Sequence, residues 1–152
     1  MLYFDNFDIG RTFTAGPVEM TVAEIKAFAS RFDPQPFHTD EKAAKNTFFK
    51  GLAASGWHTA AVTMRMLVQA LPVADGLIGA GLEELRWPQP TRPGDILRIT
   101  CEVLERREMK SRPGLGLVKV RCTTLNQKDE PVQVSVTTIL APLRAGDGGD
   151  QA

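Results

Sequence analysis

Residues 55–71 read SGWHTAAVTMRMLVQAL, and this stretch decides the fold. Apolar residues recur in it at the three- and four-residue spacing of one α-helix face: Trp57, Ala60, Ala61, Met64, Leu67, Val68 and Leu71. Two further residues, Val62 and Met66, make the helix apolar nearly all round, and such a helix is normally buried. The sequence therefore predicts a helix from Ser55 to about Leu71 that the rest of the chain encloses.

The segments on either side of this helix predict the structure that encloses it. Alternating apolar and polar residues indicate one β-strand before the helix and four after it, at 12–20, 77–87, 95–106, 115–125 and 132–140. Turn-forming residues separate the last four strands. Because no further helix is predicted downstream, we expect an α+β fold in which an antiparallel sheet wraps around the long central helix.

Length and charge limit the classes of function. A chain of 152 residues suits a single domain with a full hydrophobic core. We predict this domain at residues 1–143, followed by a glycine- and aspartate-rich disordered tail at 144–152. The 18 basic and 18 acidic side chains cancel, and no long run of like charge occurs, so no nucleic-acid partner is expected.

The N-terminus and the cysteines bear on location and cofactors. Asp5 lies where a signal peptide would carry basic residues, and no apolar run approaches the roughly 20 residues that span a bilayer. We therefore expect a cytoplasmic protein with no membrane partner. Cys101 and Cys122 lack metal-ligand spacing and are expected to be buried thiols on adjacent strands. No metal and no cofactor are expected.

A second helix is signalled before the central one. Thr21-Val22-Ala23-Glu24 matches a capping box, and apolar residues keep helical spacing until Asp33-Pro34 ends the helix. A short helix is predicted from Thr39-Asp40 through Asn46. The segment between them, Phe32-Asp33-Pro34-Gln35-Pro36-Phe37-His38, is predicted to be stiff and non-helical because of its two prolines.

Asp33 and His38 in this segment are candidates for proton transfer. A carboxylate can orient an imidazole that titrates near neutral pH. Five residue steps at about 3.3 Å would separate the two by about 16 Å in a straight segment, so the chain must bend back for the side chains to meet. The alternative is structural, since Asp-Pro commonly opens a turn and a histidine can cap or pack.

The order of three motifs resembles one known family. The motifs are residues 32–38, Ser55-Gly56-Trp57 at the start of the central helix, and residues 86–95, which read RWPQPTRPGD. Over about residues 10–142 this order is similar to the MaoC-like hot-dog-fold family of acyl dehydratases and (R)-specific enoyl-CoA hydratases. The family motif is commonly Gly-Asp-x-Asn-Pro-x-His, whose Asp and His match Asp33 and His38. This chain departs from the family pattern at Phe32, Gln35 and Ser55, where many members have Gly, Asn and His.

The resemblance implies a reaction and partners. The reaction is reversible addition of water to a trans-2-enoyl-CoA, which gives a (3R)-3-hydroxyacyl-CoA. The implied partners are a thioester of coenzyme A or acyl carrier protein, which enters between subunits, and further copies of the chain in a homodimer or a higher oligomer of dimers. Asp33 and His38 are expected to handle the water and the protons, and the Gly56 N–H to stabilise the enolate oxygen at a helix N-terminus.

Further residues are expected to bind the substrate or to pack near the site. Ser55, Trp57 and Phe37 are the candidates for substrate binding, and Ser55 is also expected to cap the central helix. His58, on an apolar helix, is expected to pack or to lie at an interface. The coenzyme A phosphates are expected to meet surface bases such as Lys50 or Arg86.

Two other functions stay open on the sequence alone. A hot-dog acyl-CoA thioesterase would use a carboxylate on or near the central helix, but residues 55–71 contain none. A non-catalytic acyl-thioester-binding domain would keep the fold without needing Asp33 and His38. Acyl chain length, the carrier and the direction of reaction are not fixed by the sequence.

Overall fold

Five strands form one antiparallel sheet in the computed structural model, which describes residues 1–146. The strands are β1 (Thr12–Glu19), β2 (Ile78–Arg86), β3 (Ile96–Glu108), β4 (Leu115–Leu125) and β5 (Pro131–Pro142). Across the sheet their order is β1-β3-β4-β5-β2, so β1 and β2 are the two edges. The five predicted strands are confirmed, and their observed ends lie within about two residues of the predicted ones.

Four α-helices and a short 3-10 helix (Phe4–Asn6) complete the described residues. The α-helices are α1 (Val22–Phe32), α2 (Pro36–Thr39), α3 (Glu41–Ala44) and α4 (Gly56–Ala70). Ser55 is the N-cap of α4 and Leu71 its C-cap, as the periodicity predicts. The sheet curls around α4, which lies against β1, β3 and β5. The predicted fold class is confirmed.

The core lies between α4 and the inner face of the sheet. Alternate residues of β3 and β4 point inward and are buried, among them Leu97, Ile99, Val103, Val118 and Val120. They belong to one cluster with Met66 and Leu67 of α4. Each such apolar side chain contributes about 1.5–3 kcal/mol when it leaves water, so this cluster holds α4 against the sheet.

Cys101 and Cys122 are the buried thiols that the sequence predicts. They are register partners on β3 and β4, and their sulfur atoms lie 3.2 Å apart. Both are free cysteines. The hydrogen bond with Cys101, together with burial, raises the pKa of the Cys122 thiol far above its ordinary range, so it stays protonated and packs as a small apolar group.

The segment that carries His38 is partly helical, so the prediction of a non-helical segment is wrong. Pro36 is the first residue of α2, where the fixed φ of proline suits a helix and its missing N–H costs nothing. This single turn brings His38 back toward the end of α1. The following helix, α3, is capped by the Asp40 side chain and ends at Ala44, before the predicted end at Asn46.

One face of α4 is not enclosed, which corrects the expectation that the chain surrounds this helix. Trp57, Met64 and Val68 recur at helical spacing and are all exposed. The sheet edge formed by β2 also exposes Ile78 and Leu82. The periodicity of the sequence places these residues on an apolar helix face, but it does not say that this face stays exposed in the single chain.

Most of the predicted tail lies outside the residues that the structure describes. Residues 147–152 lie outside the described residues, so the predicted disorder there stays a prediction. Within residues 1–146, no helix is both long enough and apolar enough to cross a membrane.

Candidate active site

Asp33 lies at the point where α1 ends. Thr21 caps the start of this helix, and its hydroxyl accepts a hydrogen bond from the Glu24 N–H at 3.2 Å. The helix ends at Asp33, whose N–H still donates to the Ala29 carbonyl at 2.8 Å. Pro34 has no N–H and disfavours helical geometry in the residue before it, so the helix stops there. The Asp33 side chain therefore projects from a fixed helix end.

His38 lies in α2, and its ring is held by a backbone carbonyl. Nδ1 is 2.6 Å from the carbonyl oxygen of Ala53. Because a carbonyl oxygen only accepts, we assign the proton of the neutral ring to Nδ1, which leaves a lone pair on Nε2. The side chain is buried, with 5% of His38 exposed. The fold thus fixes both the orientation and the tautomer of this imidazole.

The structure brings Asp33 and His38 together. Nε2 of His38 lies 3.4 Å from Oδ2 of Asp33. The carboxylate also accepts hydrogen bonds from two side chains, Gln35 Nε2 on Oδ1 and Ser55 Oγ on Oδ2, the second at 2.7 Å. The bend that proximity requires comes from the helical turn of α2 rather than from an extended proline segment.

The surroundings of Asp33 favour its charged form. Burial of the carboxyl acts to raise its pKa, but the hydrogen bonds from Gln35 and Ser55 act in the opposite direction, as does the positive charge of His38 when that ring is protonated. Their combined effect lowers the pKa of Asp33 below its ordinary value. The group is therefore a carboxylate at neutral pH and only accepts hydrogen bonds there.

The N-terminus of α4 supplies a hydrogen-bond donor. Ser55 caps this helix, and its Oγ accepts from the Trp57 N–H at 3.3 Å. Gly56 is the first helical residue, and its N–H has no hydrogen-bond partner among the described residues. Unpaired N–H groups and the positive end of the helix dipole coincide here, and both favour a negatively charged oxygen.

The packing of Trp87 explains why residue 56 is a glycine. A Cβ atom there would lie 2.7 Å from Cε2 of the Trp87 ring. The Trp87 ring is held in this place by a hydrogen bond from its Nε1 to Gln133 Oε1 at 3.0 Å. Gly56 therefore allows Trp87 to close against the start of α4, in addition to leaving room for a ligand.

His38 and Gly56 line one groove, whose volume is about 420 Å³. Its walls are mainly apolar and come from two loops, one before α4 and one after β2. The other lining residues are Phe48, Phe49, Ala54, Thr59, Trp87, Pro88, Gln89, Pro90 and Thr91. An imidazole and a backbone donor in a groove of this size can contact one small organic group.

The three predicted substrate-binding residues do not line this groove. Phe37 packs edge-on against His38, with ring centroids 4.6 Å apart. Ser55 is fully buried behind the helix N-terminus. Trp57 is 58% exposed and meets the edge of Trp87 on the outer face of α4. Their contact with substrate stays a prediction.

Arg92 is a residue of the site region that the sequence did not identify. Its guanidinium donates to three carbonyl oxygens in the loop before α4, those of Phe49, Gly51 and Leu52. The next carbonyl in this loop, that of Ala53, accepts from His38. Arg92 therefore holds the loop that orients the imidazole. No local sequence signal links residues 40 or more positions apart.

His58 lies away from this arrangement, as predicted. Its ring stacks on Phe28 of α1 with centroids 4.7 Å apart and an interplanar angle of 8°. Its Nδ1 is buried and has no hydrogen-bond partner among the described residues. Burial lowers the pKa of His58, and the charge of Glu24 acts in the opposite direction with a smaller effect. The ring is a packing group between α1 and α4.

Comparisons with known proteins agree on one family. The model of the family described as "MaoC like domain" matches residues 6–126. The uncharacterized protein YdeM of Bacillus subtilis is 32% identical over 129 residues, which are 84% of this chain and 90% of that protein.

Two solved structures extend the similarity to the whole domain. A MaoC-like dehydratase from Rhodospirillum rubrum is 50% identical, with a TM-score of 0.91 over 95% of this chain and 99% of that one. The R-hydratase PhaJ1 from Pseudomonas aeruginosa is 25% identical, with a TM-score of 0.76 over 93% of this chain and 86% of that one.

Proposed function

Since the chain belongs to the MaoC-like domain family, we propose that it adds water reversibly to trans-2-enoyl thioesters of coenzyme A. The product is the (3R)-3-hydroxyacyl thioester, a configuration carried over from the similarity to an R-hydratase. Asp33 and His38 handle the water and its protons, and the Gly56 N–H stabilises the enolate oxygen.

The observation that carries this proposal is the convergence of two hydrogen-bond acceptors. Nε2 of His38 presents a lone pair because Nδ1 is committed to the Ala53 carbonyl. Oδ2 of the Asp33 carboxylate lies 3.4 Å from this Nε2 atom. Two acceptors do not bond each other, but a water about 2.8 Å from both can donate one O–H to each. The pair is therefore built to hold and orient a water molecule.

The same geometry accounts for each step of hydration. The oriented water attacks the β-carbon through its own lone pair, and one of its protons passes to the Asp33–His38 pair. The π electrons of the double bond move into an enolate, whose oxygen accepts from the Gly56 N–H. The pair then delivers a proton to the α-carbon, so that one water is added and both side chains return to their starting state. Dehydration is the reverse sequence.

The groove supports this chemistry through its apolar walls. Aromatic and proline side chains surround the space next to His38 and Gly56. With bulk water displaced by a bound thioester, the hydrogen bond from Gly56 to the enolate becomes stronger than it would be in solvent.

A thioesterase fits the site less well. Residues 56–70 of α4 carry no carboxylate, so a water next to a thioester carbonyl at Gly56 would have only the Asp33–His38 pair to activate it. A non-catalytic binding domain would not require the carboxylate of Asp33 to be held ionised by two donors beside an imidazole of fixed tautomer.

The test measures two reactions of an enoyl-CoA separately, hydration of its double bond and hydrolysis of its thioester. Purified protein is incubated with trans-2-enoyl-CoA of several chain lengths, and loss of the conjugated double bond and release of free thiol are recorded in parallel. We expect loss of the double bond without thiol release, and no such loss with Asp33→Asn or His38→Gln. Thiol release would instead indicate a thioesterase, and neither signal would indicate a binding domain.

We also propose that two copies of the chain pair through the uncovered face of α4 and the edge of β2. The apolar residues Trp57, Met64 and Val68 are exposed on that face, and an unpaired strand edge readily pairs with a second strand. A two-fold axis would bring the same patch of both copies together. Since Trp57 touches Trp87 of the groove wall, the partner would border the entrance for the thioester.

Sedimentation of the purified protein tests this assembly. We expect a dimer or a larger oligomer of dimers at micromolar concentration, and a monomer for Val68→Glu. Ile9→Glu is the control, because Ile9 is an exposed apolar residue outside α4 and β2. Wild-type protein that sediments as a monomer contradicts the pairing. A cytoplasmic location stays a prediction from the sequence.

A further inference from the structure

A buried hydroxyl joins Asp33 to the start of α4. Ser55 has no exposed surface, and its Oγ donates to Oδ2 of Asp33 at 2.7 Å across a separation of 22 residues. The same Oγ accepts from the Trp57 N–H in the first turn of α4. One serine side chain therefore serves as helix cap and as a carboxylate ligand at once, which uses its single proton and one of its lone pairs.

We propose that Ser55 is a positioning residue, whose hydroxyl fixes the Asp33 carboxylate to the N-terminus of α4 so that carboxylate and Gly56 N–H keep one geometry. This inference rests on the proposed hydration for its effect on rate. Its structural part, the control of Asp33 by Ser55, is measurable without any substrate.

The Ser55 hydroxyl binds the carboxylate oxygen of Asp33 that matters for the proposed site. Oδ2 is the atom that Ser55 binds and also the atom that faces Nε2 of His38. Rotation about the last side-chain bond of an aspartate is otherwise broad, so the carboxylate needs a fixed donor to keep this oxygen toward the imidazole. The water position described above exists only while that orientation is kept.

The second donor to the carboxylate is less able to fix it. Gln35 donates to Oδ1, but its side chain is exposed and keeps access to water. Ser55 is buried, and its backbone is held because the Ser55 carbonyl accepts from the N–H groups of His58 and Thr59. The rigid attachment of Asp33 is therefore the one made by Ser55.

The pKa of Asp33 supports the same positioning role for Ser55. The hydrogen bond from Ser55 is one of the interactions that lower the pKa of Asp33, against the burial that raises it. Loss of the hydroxyl leaves Oδ2 of the partly buried carboxylate with one donor fewer, so the carboxylate becomes easier to protonate. An effect on Asp33 protonation is one that a helix cap alone does not produce.

The experiment compares Ser55→Ala with Ser55→Thr and with a matched cap variant, Thr21→Ala. Threonine keeps the hydroxyl and caps helices well. Thr21 caps α1 through the same kind of bond but does not touch Asp33. Two quantities are measured: the Asp33 pKa by carboxyl ¹³C NMR titration, and the pH dependence of kcat and KM for an enoyl-CoA.

We expect Ser55→Ala to raise the Asp33 pKa and to move the acidic limb of the kcat profile upward by the same amount. The rate at neutral pH should fall roughly 10- to 100-fold, as for loss of a hydrogen bond to a charged group, with KM little changed. Ser55→Thr should restore both quantities. Thr21→Ala should lower the thermal midpoint without moving either pKa or profile.

The other possible results separate the positioning role of Ser55 from the proposed hydration activity. An unchanged Asp33 pKa in Ser55→Ala, with only a lower thermal midpoint, overturns the positioning role and leaves Ser55 as a cap. A raised Asp33 pKa in a protein that hydrates no enoyl-CoA keeps the positioning role and overturns the proposed function. If Ser55→Ala does not fold, Ser55→Gly replaces it, since glycine at an N-cap costs only a few tenths of a kcal/mol.

Discussion

The two histidines of the chain lie in regions that make opposite use of a buried imidazole. His38 and His58 are equally buried, with 5% and 6% of each residue exposed. At His38 one nitrogen is bound to a carbonyl and the other faces a carboxylate at the edge of a groove. At His58 one nitrogen has no partner among the described residues, and the ring stacks on Phe28. Burial alone therefore does not set the hydrogen-bonding state of an imidazole; its partners do.

The largest expected effect lies in the His38 region, at its carboxylate partner. Asp33→Asn keeps the shape of the side chain but removes the group that accepts protons, so kcat should fall by about 10²- to 10⁴-fold with KM nearly unchanged. Steady-state hydration of an enoyl-CoA measures this. Asp40→Asn is the matched control, since Asp40 only caps α3 and asparagine caps equally well. A similar loss in both variants would contradict a special role for Asp33.

A further effect, on both stability and activity, is expected at Gly56. In Gly56→Ala the added methyl group would lie 2.7 Å from the Trp87 ring, so the ring must move. We expect a loss of about 1–3 kcal/mol in the free energy of urea unfolding, together with lower hydration activity. Trp87→Leu in the same chain should recover part of the stability, because it removes the clashing ring. Equal stability of Gly56→Ala and wild type would show that this contact is absent.

Substitution of Arg92 tests whether the loop that orients His38 depends on the three hydrogen bonds from its guanidinium. Arg92→Met removes the donors to Phe49, Gly51 and Leu52, which should cost about 1.5–3 kcal/mol of unfolding free energy and lower kcat. Arg98→Met is the comparison, because Arg98 pairs with Asp129 on the surface and such pairs contribute about 0–1 kcal/mol. If kcat stays unchanged while stability falls, the Arg92 hydrogen bonds serve the fold and not the imidazole.

The smallest effect belongs to the His58 region and appears as pH dependence. The folded-state pKa of His58 is lowered from its ordinary value of 6.5, so its contribution to stability is complete above that value and is lost as the pH falls below it. His58→Phe keeps the stack on Phe28 and should lose less stability between neutral and mildly acidic pH than wild type. Urea unfolding at several pH values measures this. Identical pH dependence in both proteins would contradict a lowered pKa.

The sequence predicts the frame of the site better than its contacts. Thr21 and Asp33 bound α1, and Ser55 caps α4, because capping residues and proline act on their immediate neighbours. The residues offer Asp33 and His38 as a proton-transfer pair and the family resemblance favours it, but neither predicts the helical turn that brings the two together. Pro36 could equally extend the chain or begin a helix, and only the tertiary contacts of His38 decide between these.

Long-range contacts explain the rest of what the sequence did not predict. The hydroxyl of Ser55 meets Asp33 and the guanidinium of Arg92 meets the loop at Phe49 only because the sheet folds around α4. Likewise, the apolar pattern of α4 places Val68 on an apolar helix face without saying that this face stays exposed in the single chain. Local propensity carries no information on such pairings.

One pair of variants tests the central claim most directly, by making the same change in both regions. His38→Phe and His58→Phe each keep an aromatic ring and remove both nitrogens, and each is compared with wild type for the rate of loss of the trans-2-enoyl-CoA double bond. We expect wild-type protein to hydrate, His58→Phe to keep its rate within a few-fold, and His38→Phe to lose about 10²- to 10⁴-fold. Retained hydration in His38→Phe, or an equal loss in both variants, would contradict the assignment of the reaction to the Asp33–His38 pair.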